Sequence, residues 1–154
     1  VIRKNQAKML RNAGAGPGEI IQITFGYHFM PAGLGLHMGA EEIECTIIPA
    51  GTGESRMQID FMKKLGTTIY AGTPSFLANL AKQAEAMNIN PKKALKLKVG
   101  LCGAEPLPPS LRKQLQDNFG MELYDVYGVA ELGLISRECE RHNGMHINLV
   151  FRTS

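Results

Sequence analysis

The chain reads as an α/β protein: a mainly parallel sheet flanked by helices, followed by a short β-hairpin. Three observations predict this. Short apolar runs at residues 20–24, 44–49, 67–71 and 96–102 alternate repeatedly with amphipathic segments long enough for helices, a pattern that calls for parallel strands joined by helical crossovers. Glycine or proline punctuates the junctions between these segments, as turns and helix ends require. After Glu131 the alternation stops, and residues 132–151 read as two short strands about His142-Asn143-Gly144, whose Asn-Gly pair is a strong hairpin-turn signal.

Val1 to Ala13 sets Ile2, Ala7, Met9, Leu10 and Ala13 among Arg and Lys, giving a first helix with one apolar face. The cluster from Gly14 to Gly18 ends it. Ile20 to Thr24 is a buried strand, and Pro31 opens the next helix. In that helix Gly33, Gly35 and Gly39 each cost about 1 kcal/mol relative to alanine, so close backbone packing is the expected reason for them. Glu44 to Pro49 is the second strand and Gly51 to Gly53 a loop. Glu54 to Leu65 carries Met57, Phe61, Met62 and Leu65 at helical spacing, with Gly66 as the stop. Thr67 to Ala71 is the third strand. Thr73 and Pro74 then start a helix as N-cap and first residue, turning Phe76, Leu77, Leu80, Ala81 and Ala84 inward, and Pro91 closes off the segment after that helix. Lys96 to Cys102 alternates lysine with apolar residues, as an edge or half-exposed strand would. Leu107 to Phe119 is a helix stopped by Gly120, and the run from Tyr124 leads as a strand into a glycine turn.

At 154 residues the chain has the size of about one domain, with 44% apolar and 20% charged residues. A net charge of +3 without a long basic run argues against nucleic acid. No apolar stretch approaches the roughly 18 residues that span a bilayer, and no charged-then-apolar leader opens the chain, so a cytoplasmic protein without a membrane partner is expected. Cys45, Cys102 and Cys139 are too few and too odd a set for a disulfide scaffold. Cys45 and Cys102 lie in apolar strand-like runs and read as inert core thiols. The chain opens on Val1 inside a helix-like segment and stops at Ser154 just after a strand-like run, His146 to Phe151. An excised piece of a longer protein is therefore expected. A sheet parted from its neighbours exposes apolar faces, which makes self-association, a homodimer included, a further expectation.

The residues richest in chemistry are Tyr124-Asp125-Val126-Tyr127-Gly128-Val129-Ala130-Glu131. A strand ending in a glycine turn delivers side chains to the carboxyl edge of a sheet, where open α/β proteins bind ligands. Tyr127 offers a flat π surface for a purine, or equally a tyrosine packed at a strand end with its hydroxyl in water. Glu131 offers a carboxylate for Mg²⁺, or an ordinary surface glutamate.

Together with Gly103-Ala104-Glu105-Pro106, Glu138-Cys139-Glu140, Gly144-Met145-His146, Thr73-Pro74-Ser75-Phe76 and the segment from Phe25 to Gly33, this stretch resembles the adenylate-forming superfamily, and within it the phenylacetate–coenzyme A ligase family. The likeness runs from about Gly18 to Val150. It implies a flavodoxin-like subdomain over residues 1–131 and the start of a second β layer over 132–154, with the triphosphate-gripping loop and the small C-terminal domain missing from this stretch. It implies an ATP-dependent acid–CoA ligase, in which an acid carboxylate attacks the α-phosphate of ATP and CoA then takes the acyl group. The isolated piece is expected to be inactive, and its partners are a small carboxylic acid and the rest of its own parent chain. By the same resemblance Tyr127 and Gly128 form the adenine-binding turn, Asp125 accepts from the adenine amino group, and Glu131 serves catalysis by holding the Mg²⁺ on the ATP phosphates. The backbone of Gly103, Ala104, Glu105 and Pro106 lines the adenine and acyl cleft, and Tyr27 and Phe29 border the acid pocket.

One departure bears on this. The family's Thr or Ser before the glutamate is Ala130 here, and alanine cannot hydrogen-bond a phosphate or an acyl-adenylate oxygen. Two other readings stand beside the ligase: a methanogen-type synthetase that transfers the adenylyl group to a deazaflavin, and a non-catalytic nucleotide-binding or interaction domain. Cys139, His142 and His146 fall short of the four ligands of a structural zinc, although a hairpin would bring Cys139 and His146 together. The glycines at 33, 35 and 39 lack the strand directly before them that a dinucleotide fingerprint needs. Neither the strand at 20–24 nor that at 67–71 ends in the aspartate of a phospho-receiver. His28, alone in an aromatic run, reads as a structural histidine.

Overall fold

Six helices and seven strands alternate along residues 2–28 and 31–147, the residues that the structure, a computed structural model, describes. They are α1 (Ile2–Asn12), β1 (Ile20–Ile23), α2 (Pro31–Glu42), β2 (Thr46–Ile48), α3 (Ser55–Leu65), β3 (Ile69–Gly72), α4 (Pro74–Ala86), α5 (Pro91–Ala94), β4 (Val99–Gly103), α6 (Pro109–Phe119), β5 (Glu122–Val129), β6 (Gly133–Glu138) and β7 (Met145–Ile147). The helix ends obey their chemistry. Gly66 and Gly120 take left-handed conformations and stop α3 and α6, as glycine does without steric cost. The Thr73 side chain caps α4 by accepting from the Phe76 amide at 3.2 Å. Pro91 opens a one-turn helix capped by Asn90; proline is preset for a first helical turn as well as for a stop.

One sheet carries all seven strands in the order β2-β1-β3-β4-β5-β6-β7. The first five are parallel, and β6 and β7 are added antiparallel. Two apolar cores flank it. Ala7 and Leu10 of α1 and Leu36 and Ala40 of α2 pack with Ile21, Ile69 and Leu101 on one face. On the other, Ile59, Leu77, Leu80, Leu115 and Phe119 of α3, α4 and α6 pack with Tyr70, Cys102 and Leu123. Successive strand residues serve opposite faces, so both cores draw on the same strands.

The structure corrects two expectations from the sequence. The lysine alternation before residue 102 suggested an edge strand, yet β4 lies between β3 and β5 and is buried over Gly100 to Gly103. The exposed Lys96 and Lys98 belong to the approach to the strand, and an approach segment alternates without lying at an edge. The residues after Glu131 were expected to begin another layer. Over the described part they extend the same sheet, because β6 folds back on β5 and pairs Val129 with Gly133 and Val126 with Arg137. The strand expected to run to Phe151 is described only as far as Ile147, as β7. The loop between β6 and β7 is longer than a two-residue turn, since Glu138 pairs with Met145.

Candidate functional site

The sheet ends of β4, β5 and β6 meet α1 and α2 around an apolar cleft of about 150 Å³. Phe25 and Leu36 form one wall, and Leu101, Val126 and Leu134 from three adjacent strands the other. Ala104, Gly128 and Ala130, all exposed, stand at its rim. Glycine builds the wall by letting backbones meet. A Cβ on Gly39 would collide with Gln6 Cβ and Ala7 N of α1, and one on Gly33 would lie 2.5 Å from the Gly26 carbonyl oxygen. Close packing is therefore what Gly33 and Gly39 do, as their cost in a helix implied.

Beyond β4 the chain turns through Ala104, which holds a left-handed φ of 67°, unusual for a residue with a Cβ. Gly103 is buried, and a Cβ there would lie 2.8 Å from Val126 Cγ2. Glycine at this point allows the close β4–β5 approach, and Gly103 also lines the cleft, as does Ala104. Glu105 accepts from Ser75 N at 3.1 Å and Ser75 Oγ at 2.8 Å. Its carboxylate thus sits at the N-terminus of α4, where the helix dipole favours a negative charge. This brace pins the turn to the neighbouring helix and leaves the exposed backbone of Ala104, Glu105 and Pro106 at the sheet edge.

The β5–β6 hairpin holds the remaining predicted residues. Tyr127 is 53% exposed. Pairing slips at Tyr127 and Gly128, and a Cβ on Gly128 would lie 2.5 Å from the Gly133 carbonyl oxygen. Asp125 is half-buried; burial and then the neighbouring Glu138 carboxylate raise its pKa above 3.8. Glu131 lies exposed in the turn between the strands. At the base of the hairpin Arg112 Nη2 of α6 donates to both carboxylate oxygens of Glu138, each at 2.8 Å, and Arg112 Nη1 donates to the Leu123 carbonyl. Glu138 also accepts from the Asp125 amide at 2.8 Å. Burial alone would raise the Glu138 pKa, but the Asp125 amide, Arg112 and His142 together hold it below 4.5. His142 stacks on Tyr124 and bonds Glu122 Oε1 at 2.8 Å. The hairpin is thereby fastened to α6 through a nearly buried charged pair.

A model of the AMP-binding enzyme family matches residues 34–148. The chain belongs to this family. It is 36% identical over 126 residues, 82% of its length, to a phenylacetate–coenzyme A ligase of Pseudomonas putida. To that of Thermus thermophilus it is 33% identical over 144 residues, 92% of its length. It spans only 28% and 32% of those two proteins. Among solved structures, a 2-hydroxyisobutyryl-CoA ligase superposes with a TM-score of 0.87 at 24% identity, over 94% of this chain and 35% of that one. A benzoate CoA ligase from Burkholderia xenovorans does so at 0.71 and 17%, over 87% and 28%. The last two likenesses concern the fold.

The AMP-binding stretch brings most of the predicted residues to one edge of the sheet, since Gly103 to Pro106 lie at and just beyond the end of β4 and Asp125 to Glu131 form the end of β5 and its turn. Tyr27 is placed otherwise. Its hydroxyl lies 3.3 Å from His37 Nδ1 of α2, its ring meets that imidazole edge to face, and burial pushes its pKa up to about 12. Phe25 from the same aromatic run lines the cleft. Phe29 lies outside the described residues. Among the described residues no three His, Cys, Asp or Glu side chains gather as a metal-binding group, so Cys139, His142 and His146 do not form one. A lone exposed Glu131 matches the donor that Mg²⁺ takes from a protein when phosphates and water complete its shell. Sequence reading missed Gln6, Leu134 and the Arg112–Glu138 pair. Glu138 carried a signal in the motif Glu138-Cys139-Glu140, whereas Gln6 reads as the polar side of a helix.

Proposed function

We propose that this chain is the acid- and adenine-binding part of an ATP-dependent acid–CoA ligase, acting on a carboxylic acid with an apolar body of about the size of benzene. The observation that carries this reading is the 150 Å³ apolar cleft at the same sheet edge that bears the turn from Gly103 to Pro106 and the β5–β6 hairpin. An engineered cavity of roughly that volume, lined by similar side chains, takes up benzene. The similarity to phenylacetate–CoA ligases supports an aryl acid. Three free thiols support a reducing, cytoplasmic setting.

On this reading each part has a task. Leu101, Val126 and Leu134 exclude water from the acid's body, and the carboxylate lies at the rim near Ala104 and Gly128. The Tyr127 ring carries the adenine, Asp125 accepts from its amino group, and the Gly103–Pro106 backbone borders it. Glu131 would hold Mg²⁺ bound to the ATP phosphates, and the ion would supply positive charge to offset that of the phosphates. Alignment and electrostatic stabilisation then supply the rate, as is usual for reactions at phosphorus. CoA receives the acyl group in the second half-reaction.

The test is pyrophosphate release by the full-length protein with ATP, Mg²⁺ and a panel of aryl and branched aliphatic acids. Acid-dependent release and then thioester formation with CoA is the expected result. ATP binding without release for any acid would refute the ligase and favour a nucleotide-binding module.

A further inference from the structure

At Leu123 and Asp125 the β6 side of strand β5 is held by side chains in place of a neighbouring backbone. The paired register of β5 with β6 starts at Val126 with Arg137, whereas β5 itself begins at Glu122. Alternate residues of a strand turn their backbone groups to opposite neighbours. The Glu122 amide donates to the Lys98 carbonyl on the β4 side, so Leu123 and Asp125 face β6. Their partners there belong to one charged pair. Arg112 Nη1 donates to the Leu123 carbonyl at 2.6 Å, and Glu138 Oε2 accepts from the Asp125 amide at 2.8 Å. The same carboxylate accepts from Arg112 Nη2 through both oxygens, each at 2.8 Å, and the two side chains are nearly buried. Strand β5 is thus gripped on either side of Tyr124, the second grip being the Asp125 backbone itself.

We propose that Arg112 and Glu138 are positioning residues: they fix the β5 backbone at Asp125 so that its carboxylate meets the amino group of a purine lying on Tyr127, and thereby set a preference for adenine. This rests on the adenine-binding reading above and goes beyond it, because neither residue touches the nucleotide. A buried charged pair is a poor device for stability alone, since apolar side chains of similar size often serve as well or better. What the planar fork of arginine adds is geometry. The geometry fixed here is that of Asp125, which stands on the same face of β5 as Tyr127 two residues on. The Arg112 guanidinium is turned to Leu123, Glu138 and His142, so its action on a bound base runs through the strand.

The experiment titrates the full-length protein calorimetrically with AMP and with purine riboside 5′-monophosphate, which lacks only the 6-amino group. The wild type is expected to bind AMP on the order of 10-fold more tightly, as one hydrogen bond to a charged acceptor allows. Asp125→Ala should bring that ratio towards one. Glu138→Leu should lower it nearly as far by weakening AMP alone, whereas a hairpin that merely loosened under Tyr127 would bind both nucleotides less well in equal measure. Glu138→Gln keeps an acceptor oxygen for the Asp125 amide and should keep most of the ratio. Arg112→Lys keeps the charge without the fork, should lose part of the ratio, and decides the matter if Glu138→Leu does not fold. A ratio that survives Glu138→Leu, or Arg112→Lys in its place, would overturn the proposal and leave Asp125 in its role, as would equal weakening of both nucleotides. A wild type that binds the two nucleotides alike, or binds neither, or a ratio that survives Asp125→Ala, would overturn the Asp125 reading and the proposal together.

Discussion

Replacing Glu138 by alanine tests how the hairpin that bears Tyr127 and Glu131 is held. The Glu138 and Arg112 side chains are only 10% and 15% exposed, and their contact is bidentate at 2.8 Å. The variant strands the Arg112 guanidinium in the interior and leaves the Asp125 amide without its acceptor. Removing one member of such a pair costs about 3–5 kcal/mol. At about 2–4 °C per kcal/mol for a protein of this size, the melting temperature should fall by on the order of 10 °C. Circular dichroism during heating reads this directly. The pH dependence supplies an independent sign. The folded pKa of Glu138 lies below its unfolded value of 4.5, so its stabilisation is complete above that value and is lost as pH falls through the folded pKa. The wild type should therefore weaken below about pH 4.5 more steeply than Glu138→Ala. A variant that melts within about 1 °C of the wild type, well inside that expected shift, would refute the reasoning. So would an unchanged acid limb.

Three further outcomes are expected. Asp125 has its pKa raised, first by burial and then by Glu138. Its charge thus opposes folding at neutral pH, and Asp125→Asn should raise the melting temperature at pH 7, with the gain vanishing as pH falls through the folded pKa of Asp125. Gly39→Ala should destabilise by about 1–3 kcal/mol in urea unfolding even though alanine gains about 1 kcal/mol in helix propensity, because the added methyl meets the α1 backbone. Ala130→Thr places at the rim the hydroxyl that the resemblance to adenylate-forming enzymes leads one to expect, and in the proposed ligase the rate of adenylate formation in pre-steady-state kinetics should rise about tenfold or more.

Most of the fold could be read from local chemistry. Thr73-Pro74, Gly66 and Gly120 mark helix ends by their own conformational preferences, and the apolar runs at 20–24 and 67–71 could only be buried strands. The misreadings were of tertiary relations. Lys96 and Lys98 look the same whether a strand lies at an edge or is entered through a solvated approach, and nothing local in Gly133 to Glu138 says whether a hairpin starts a layer or extends one. At the candidate site, the shared placement of Asp125 to Glu131 and the turn after β4 was legible because both follow adjacent parallel strands and so fall at one sheet edge. Gln6 was not, because one residue on a mixed helix does not disclose which neighbour covers it. Tyr27 and Phe25 are both aromatic, and only the reach of the Tyr27 hydroxyl to His37 separates their roles.

The proposed function turns on a purine resting on the exposed Tyr127 ring. Calorimetric titration of AMP into the full-length wild-type protein, Tyr127→Phe and Tyr127→Ala tests it most directly. Stacking of a base on an aromatic ring contributes about 1–3 kcal/mol, so the alanine variant should bind on the order of 10-fold or more weaker, with its melting temperature unchanged because the ring is 53% exposed. The phenylalanine variant should bind as the wild type does. Equal AMP affinity in the alanine variant would place the purine elsewhere and contradict the account.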